Sequence, residues 1–179
     1  DVERIERLIT DYSQMLKDEA AITSEQMNKV NLKLIARSVV DDFNSIYNSK
    51  RGISINLKTN GSEEFIVLGI ENRIEQIIAN LLENSISFSN DNQEIKVELN
   101  KNGQGQIYLN VIDQGEGFKE KDTTKIFNRF YSNRPGKFGE HSGLGLNIVK
   151  NLVDLHNAQI FAKNNKGKGA NIEIIFPSA

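Results

Sequence analysis

The chain has 179 residues, 26% of them charged and 38% hydrophobic, with a formal net charge of -2. That length holds one ordinary domain plus an appendage, and the composition is that of a globular protein. With no cysteine and only two histidines, disulfides, thiolate zinc sites, cysteine nucleophiles and three-histidine metal centres are excluded, and the charge balance argues against a nucleic-acid-binding face.

The first residue is Asp1 rather than methionine, as expected of a piece cut from something longer. No signal-peptide pattern follows it, and no apolar run reaches the length of a membrane helix. Residues 1–20 predict a helix. Val2, Ile5, Ile9, Tyr12 and Leu16 recur at spacings of three and four, the seam of a coiled coil or bundle, and Leu8 and Met15 widen it. So broad an apolar face needs a partner. Packing on the chain's own domain would cover it, but the polar break at residues 18–28 favours bundling with another molecule.

Beyond the break the pattern is mixed α and β. Residues 30–32 form a short candidate strand, and residues 34–48 a helix with Ile35, Val39, Phe43 and Ile46 inward. Ile53, Ile55 and Leu57 alternate as a strand, and residues 65–68 form another. The strongest helix covers residues 71–88, with Ile74, Ile77, Ile78, Leu81, Leu82 and Ile86 on its apolar face. Two strands follow, one carrying Ile95, Val97 and Leu99, the other Ile107, Leu109 and Val111, with the hairpin signal Asn102-Gly103 between them. Residues 115–142 are punctuated by glycine and have little periodicity. A helix over about residues 143–156 comes next, then strands at 159–162 and 170–176 joined by a Lys/Gly-rich turn at 164–169. A loop of about thirty residues inside a compact domain is usually functional or disordered. This one lies between two glycine clusters and reads as a flap anchored at both ends.

Four local signals flank or occupy the flap. Asn80-Leu81-Leu82-Glu83-Asn84 places two carboxamides one helical turn apart. They are either surface and capping amides or oxygen ligands for Mg²⁺, which prefers hard oxygens and keeps waters and substrate phosphates. Asp113-Gln114-Gly115-Glu116-Gly117 follows a strand, which delivers the carboxylate to its end, and the glycines permit unusual dihedrals and close backbone approach. Taken alone it reads first as a tight turn; the functional alternative is a carboxylate accepting from an exocyclic amine beside a flat ring. Ile126-Phe127-Asn128-Arg129-Phe130-Tyr131 puts three aromatics in a polar loop. They anchor the flap to the body or to a partner helix, or form a local loop core. Ser142-Gly143-Leu144-Gly145-Leu146 opens a helix, whose free N–H groups and dipole favour phosphate.

In this order and at these spacings the motifs resemble the ATP-binding catalytic domain of sensor histidine kinases, within the gyrase/Hsp90/histidine-kinase/MutL ATPase superfamily. Asn80 to Asn84 resembles the N box, Asp113 to Gly117 the first glycine box, Ile126 to Tyr131 the F box and Gly143 to Leu146 the second glycine box. Leu155-His156 after the long helix and Gly167-Lys168-Gly169 before a last strand ending at Pro177 match as well. The resemblance covers essentially the whole chain. It makes residues 1–22 the second helix of a dimerisation and phosphotransfer hairpin, particularly Glu6-Arg7-Leu8-Ile9, and residues 23–179 the catalytic domain with a lid at about 115–142.

The resemblance implies an α/β (α+β) fold, a two-layer sandwich of a mixed sheet and about three helices. It implies ATP and Mg²⁺ as ligands. Asp113 reads the adenine amine, Gly115 and Gly117 flank the base, and Asn84 binds Mg²⁺ with help from Asn80. The amides of Gly143, Leu144, Gly145 and Leu146, opened by Ser142, cradle the triphosphate. Ser87, Phe88, Phe118, Arg129 and Tyr131 fill further ATP-site positions. The implied partners are a phosphoacceptor histidine on an upstream helix or a second protomer, a response-regulator receiver domain, and a second copy in a homodimer. Its implied location is the cytoplasmic side of a bacterial inner-membrane sensor, with the membrane reached only through upstream segments.

Hydrolytic relatives in that superfamily place a Glu four residues before the metal-binding Asn. Here the position is Asn80, which cannot deprotonate water near neutral pH. Phosphotransfer to histidine is therefore expected over hydrolysis. Ser87 and Ser132 stand where many members carry a cation. Of the replacements available, Arg129, Arg134 and Lys137, we assign the γ-phosphate contact and a catalytic role to Arg134, against the reading as a solvated lid arginine. The text Tyr131-Ser132-Asn133-Arg134-Pro135 with Phe138-Gly139 resembles envelope-sensing kinases of alphaproteobacteria. Two rivals use the same fold: a nucleotide-gated interaction module without turnover, and an anti-sigma-factor-type Ser/Thr kinase, which the helix at residues 1–20 disfavours. His141 lies in the lid and His156 at a helix end, so neither suits the phosphoacceptor, which is expected upstream of Asp1 or on another chain.

Overall fold

The structure is a computed structural model that describes residues 26–61, 64–119, 121–128 and 145–179. The expected N-terminal helix, and residues 129–144 of the glycine-punctuated stretch, lie outside the described residues. The described elements are β1 (Asn28–Asn31), α1 (Leu32–Arg51), β2 (Ser54–Thr59), β3 (Ile66–Gly69), α2 (Glu71–Phe88), β4 (Glu94–Lys101), β5 (Ile107–Ile112), a 3₁₀ turn (Thr123–Phe127), α3 (Gly145–Leu155), β6 (Gln159–Asn164) and β7 (Ala170–Phe176). Five strands form one sheet in the order β2-β4-β5-β7-β6, while β1 and β3 pair as a separate two-stranded ribbon. The sheet is mixed, with β2 parallel to β4 and every other pairing antiparallel.

Period-two alternation sends Ile95, Val97, Leu99, Ile107, Leu109, Val111, Ile172, Ile174 and Phe176 to one face, all buried. The helices cover that face. α2 contributes Ile74, Ile77, Ile78, Leu81 and Leu82, each fully buried at the spacing of an amphipathic helix. Such a side chain contributes about 1.5–3 kcal/mol relative to exposure, so this layer contact is the main source of stability. The result is the two-layer α/β sandwich expected, with three α-helices among the described residues.

Local differences from the sequence expectation have physical causes. The expected strand at residues 30–32 lies two residues earlier, and Leu32 instead opens α1. Asn31 is the reason: its side chain accepts from the Lys33 and Leu34 N–H groups and caps the helix. α1 runs on past residue 48 to Arg51, where Gly52 ends it in a left-handed cap. Ile46 is not inward as expected but 47% exposed. β4 and β5 do pair as the antiparallel hairpin that Asn102-Gly103 signals, closed by residues 102–106. Asn102 accepts from the N–H groups of Gln104 and Gln106 with its own side chain, and the positive φ falls on Gly105 at 83°.

Candidate functional site

β5 ends at Ile112 and delivers Asp113 into a buried position beside β7. The Asp113 N–H donates to the Ala170 carbonyl at 3.0 Å, and its Oδ1 accepts from Gly115 N–H at 2.9 Å and Ala170 N–H at 3.3 Å. Burial raises the Asp113 pKa above the ordinary carboxylate value, and these two N–H groups only partly offset it. A buried carboxylate held by backbone at one oxygen is a fixed acceptor, suited to a ligand that donates.

α2 forms the opposite side. Asn84 is buried at 3% exposure and Asn80, one turn earlier, is half-buried, so the sequence spacing does place the two carboxamides on one face. Ser87 turns its hydroxyl inward along the helix, donating to the Asn84 carbonyl at 2.6 Å. Phe88 meets the Phe118 ring edge-on, with centroids 5.9 Å apart. Gly115 lies so close to the end of α2 that a Cβ there would fall against the Phe88 carbonyl oxygen. Asp113, Gly115, Gly117, Phe118 and Phe88 are therefore one packed unit. Gly115 allows close approach to the Phe88 backbone, and Gly117 to the Asn164 side chain.

After the loop, the 3₁₀ turn is capped by Asp122, which accepts from the Thr124 N–H. It buries Ile126 and Phe127 in the main core, so this part of the aromatic motif anchors to the body. Asn147 donates to the Phe127 carbonyl at 3.2 Å and ties the start of α3 to the turn. Gly145 and Leu146 open α3, with Leu146 buried. Arg129, Tyr131, Arg134, Ser142, Gly143 and Leu144 lie outside the described residues.

Sequence reasoning missed what holds the loop in place. Gln114 accepts at Oε1 from the Glu94 N–H at 2.8 Å, and its carbonyl accepts from the Gln93 side chain at 3.3 Å. Asn164, at the end of β6, bonds both polar groups of the Phe118 backbone. Nothing local marks either residue, because both partners are distant in sequence. His156 is buried. Its Nδ1 donates to the Leu152 carbonyl at 2.7 Å and its Nε2 accepts from the Ile70 N–H at 3.1 Å. Burial lowers its pKa.

For Mg²⁺, the donor chemistry on α2 is compatible. Carboxamide oxygens are hard ligands of the kind Mg²⁺ accepts alongside waters and phosphate oxygens. Among the described residues no cluster of three or more acidic or histidine side chains could cage a metal alone.

A family model described as histidine kinase-, DNA gyrase B-, and HSP90-like ATPase matches residues 69–179. The chain is similar to sensor protein ChvG of Rhizobium meliloti, 36% identical over 96% of this chain and 31% of that protein, and so spans about a third of that relative's length. In fold it is similar to full-length ShkA in complex with AMPPNP, with a TM-score of 0.78 and 21% identity over 99% of this chain and 36% of that one. It is likewise similar to histidine kinase ThkA in complex with response regulator protein TrrA, with a TM-score of 0.74 and 22% identity over 96% of this chain and 48% of that one. The matched region takes in α2, the Asp113 loop, α3 and most of the sheet, and on that ground the chain belongs to the histidine kinase-, DNA gyrase B- and HSP90-like ATPase family.

Proposed function

We propose that this chain is the ATP-binding catalytic part of a sensor histidine kinase, transferring the γ-phosphoryl group of ATP to a histidine outside the chain. An imidazole nitrogen of that histidine bonds to the γ-phosphorus as the bond to the β–γ bridging oxygen breaks, and ADP leaves. From there the phosphoryl group passes to an aspartate of a response-regulator receiver domain. The observation that carries the proposal is Asp113, a buried carboxylate held at one oxygen by two N–H groups, on a loop whose Gly115 abuts the end of the helix that bears Asn84.

In this scheme Asp113 accepts from the adenine amine. Gly115, Gly117 and Phe118 form the wall beside the base. Asn84, with Asn80, would hold Mg²⁺, which supplies charge neutralisation at the phosphates when bound. The N-terminus of α3 at Gly145 and Leu146, extended by Ser142, Gly143 and Leu144, receives the phosphates. Ser87, Phe88, Arg129 and Tyr131 line the remaining contacts, and Arg134 supplies positive charge to the transferring group. Asn80 does not activate water, so the γ-phosphate is preserved for the histidine. In the intact protein the partner histidine sits on an upstream helix or a second protomer of a homodimer, and the chain faces the cytoplasm.

The direct test is calorimetric titration of Mg-ATP into the chain and into Asp113→Asn, followed by transfer of labelled phosphate to a supplied histidine-bearing helical hairpin. An amide has one acceptor oxygen. Satisfying Gly115 and Ala170 with it turns a donor toward the adenine amine, so binding should weaken at least about tenfold. Equal affinity in both proteins would remove Asp113 from the adenine site. Acid-labile label on the hairpin is the expected product, and acid-stable label would point to a hydroxyl acceptor.

A further inference from the structure

The connection between β6 and β7 grips the Asp113 loop at both ends. Asn164, the last residue of β6, uses both halves of its carboxamide on one loop residue. Its Oδ1 accepts from the Phe118 N–H at 2.7 Å, and its Nδ2 donates to the Phe118 carbonyl at 2.9 Å. A carboxamide offers the donor and acceptor of a peptide unit, so this side chain adds one rung of strand-like pairing beyond the strand's end. The residue before the rung must be glycine for two reasons. Gly117 sits at φ 85°, and a Cβ there would stand 2.6 Å from Asn164 Oδ1.

The other end of the connection holds Asp113. Asn165 N–H donates to the Gly169 carbonyl at 2.9 Å and closes the turn. Gly169, at φ 98°, lies against the Asp113 carbonyl so closely that a Cβ would strike it, and Ala170 then bonds Asp113 in both directions. The loop from Asp113 to Phe118 is thus pinned at its first and last residues by one short turn. Its far wall is set by the Phe118 ring on Phe88.

We propose that Asn164 is a positioning residue for nucleotide binding. It fixes the Phe118 backbone and, through the Phe118 ring, sets the spacing between the Asp113 loop and α2. This rests on the assignment of that loop to the adenine of ATP. Asn164 touches no substrate in this role, and it is exposed to solvent. Phe118 is itself buried, but removing the Asn164 side chain opens its backbone unit to water from the exposed side, so the loss of overall stability should be small. What is lost is the fixed placement of one backbone unit, which nucleotide binding must then restore.

The test compares the chain with Asn164→Ala and Asn164→Asp by calorimetric titration of Mg-ADP, nucleotide-free unfolding midpoint, and amide hydrogen exchange at Phe118. Asn164→Ala should weaken Mg-ADP about tenfold, the effect of re-ordering one residue's backbone, with a nearly unchanged midpoint and faster exchange at Phe118. Asn164→Asp keeps the acceptor and loses the donor, so it should fall between. Wild-type affinity in Asn164→Ala overturns the positioning role and leaves the ATP assignment standing. Failure of the unsubstituted chain to bind Mg-ADP overturns the ATP assignment, and this inference with it. A loss of affinity matched by a lowered midpoint makes Asn164 a structural residue only. Should Asn164→Ala not fold, the same three readings on Asn164→Asp decide.

Discussion

Burial and hydrogen bonding pull Asp113 in opposite directions, and burial is the larger effect, so its carboxyl titrates above the ordinary range. Two pH dependences of opposite sign follow. Because the folded pKa is raised, the contribution of this group to folding stability is full below the unfolded value and is lost as pH rises through the folded one. In the proposed adenine contact Asp113 accepts as a carboxylate, so Mg-ADP affinity should weaken as pH falls through that raised value, where an exposed aspartate is still ionised. Calorimetry across the acidic range checks this, and Asp113→Asn should abolish the dependence. His156 behaves in the reverse sense. Burial favours the neutral ring, with the proton on Nδ1 facing the Leu152 carbonyl and Nε2 accepting from Ile70. A proton on Nε2 would set donor against donor. Its stabilising contribution is therefore full above about 6.5 and lost as pH falls from there through the lowered folded value. Urea denaturation should show His156→Ala about 2 kcal/mol less stable near neutrality, with Ile70 N–H left without its acceptor, and with a shallower loss on acidification.

α2 carries the carboxamides of the site, yet its last turn has no cation of its own. α1 supplies one. Arg51 donates to the Ile86 carbonyl at 3.0 Å and the Ser89 carbonyl at 2.6 Å, while its Nε meets Asp91 at 2.8 Å. The guanidinium joins the Ser89 N–H at the Ile86 carbonyl, engages the Ser89 carbonyl as well, and complements the helix dipole. Arg51→Met keeps the stem and removes the cap, and should cost about 1–3 kcal/mol in urea denaturation. Asp91→Asn, at an exposed partner, should cost less than about 1 kcal/mol. The same helix shows where sequence reading succeeds and where it stops. Its apolar face follows from the spacing of Ile74, Ile77, Ile78, Leu81 and Leu82, because periodicity is local. Asp113 and its glycines are visible for the same reason. The cause of Gly115 is the Phe88 carbonyl, and the cause of Gly117 includes Asn164. Neither contact exists until distant segments meet, and Arg51 and Asn164 carry no local mark at all. Ile46 departs from its pattern and is 47% exposed, because tertiary placement outweighs periodicity there.

Taken whole, the fold brings a buried acceptor and a carboxamide-bearing helix to the two sides of one loop, and it does so without a carboxylate at position 80. A general base contributes about 10²–10⁴ to rate. In the proposed scheme Asn80 stands in its place, so water attack on ATP forgoes that factor, while an imidazole nucleophile brings its own lone pair and needs no such help. The balance between the two outcomes should therefore depend on which nucleophile is offered. With Mg-ATP alone, the chain should release inorganic phosphate very slowly. With a histidine-bearing hairpin supplied, label should accumulate on the hairpin faster than phosphate is released. Asn80→Glu should shift that ratio toward phosphate release, because the substitution adds a base at that position, and Mg-ADP titration of the same variant separates this from any change at the proposed Mg²⁺ contact. Measuring both products in one time course separates the effects. If Asn80→Glu leaves the ratio unchanged, the absent base is not what preserves the γ-phosphate, and exclusion of water from the site would have to do so instead.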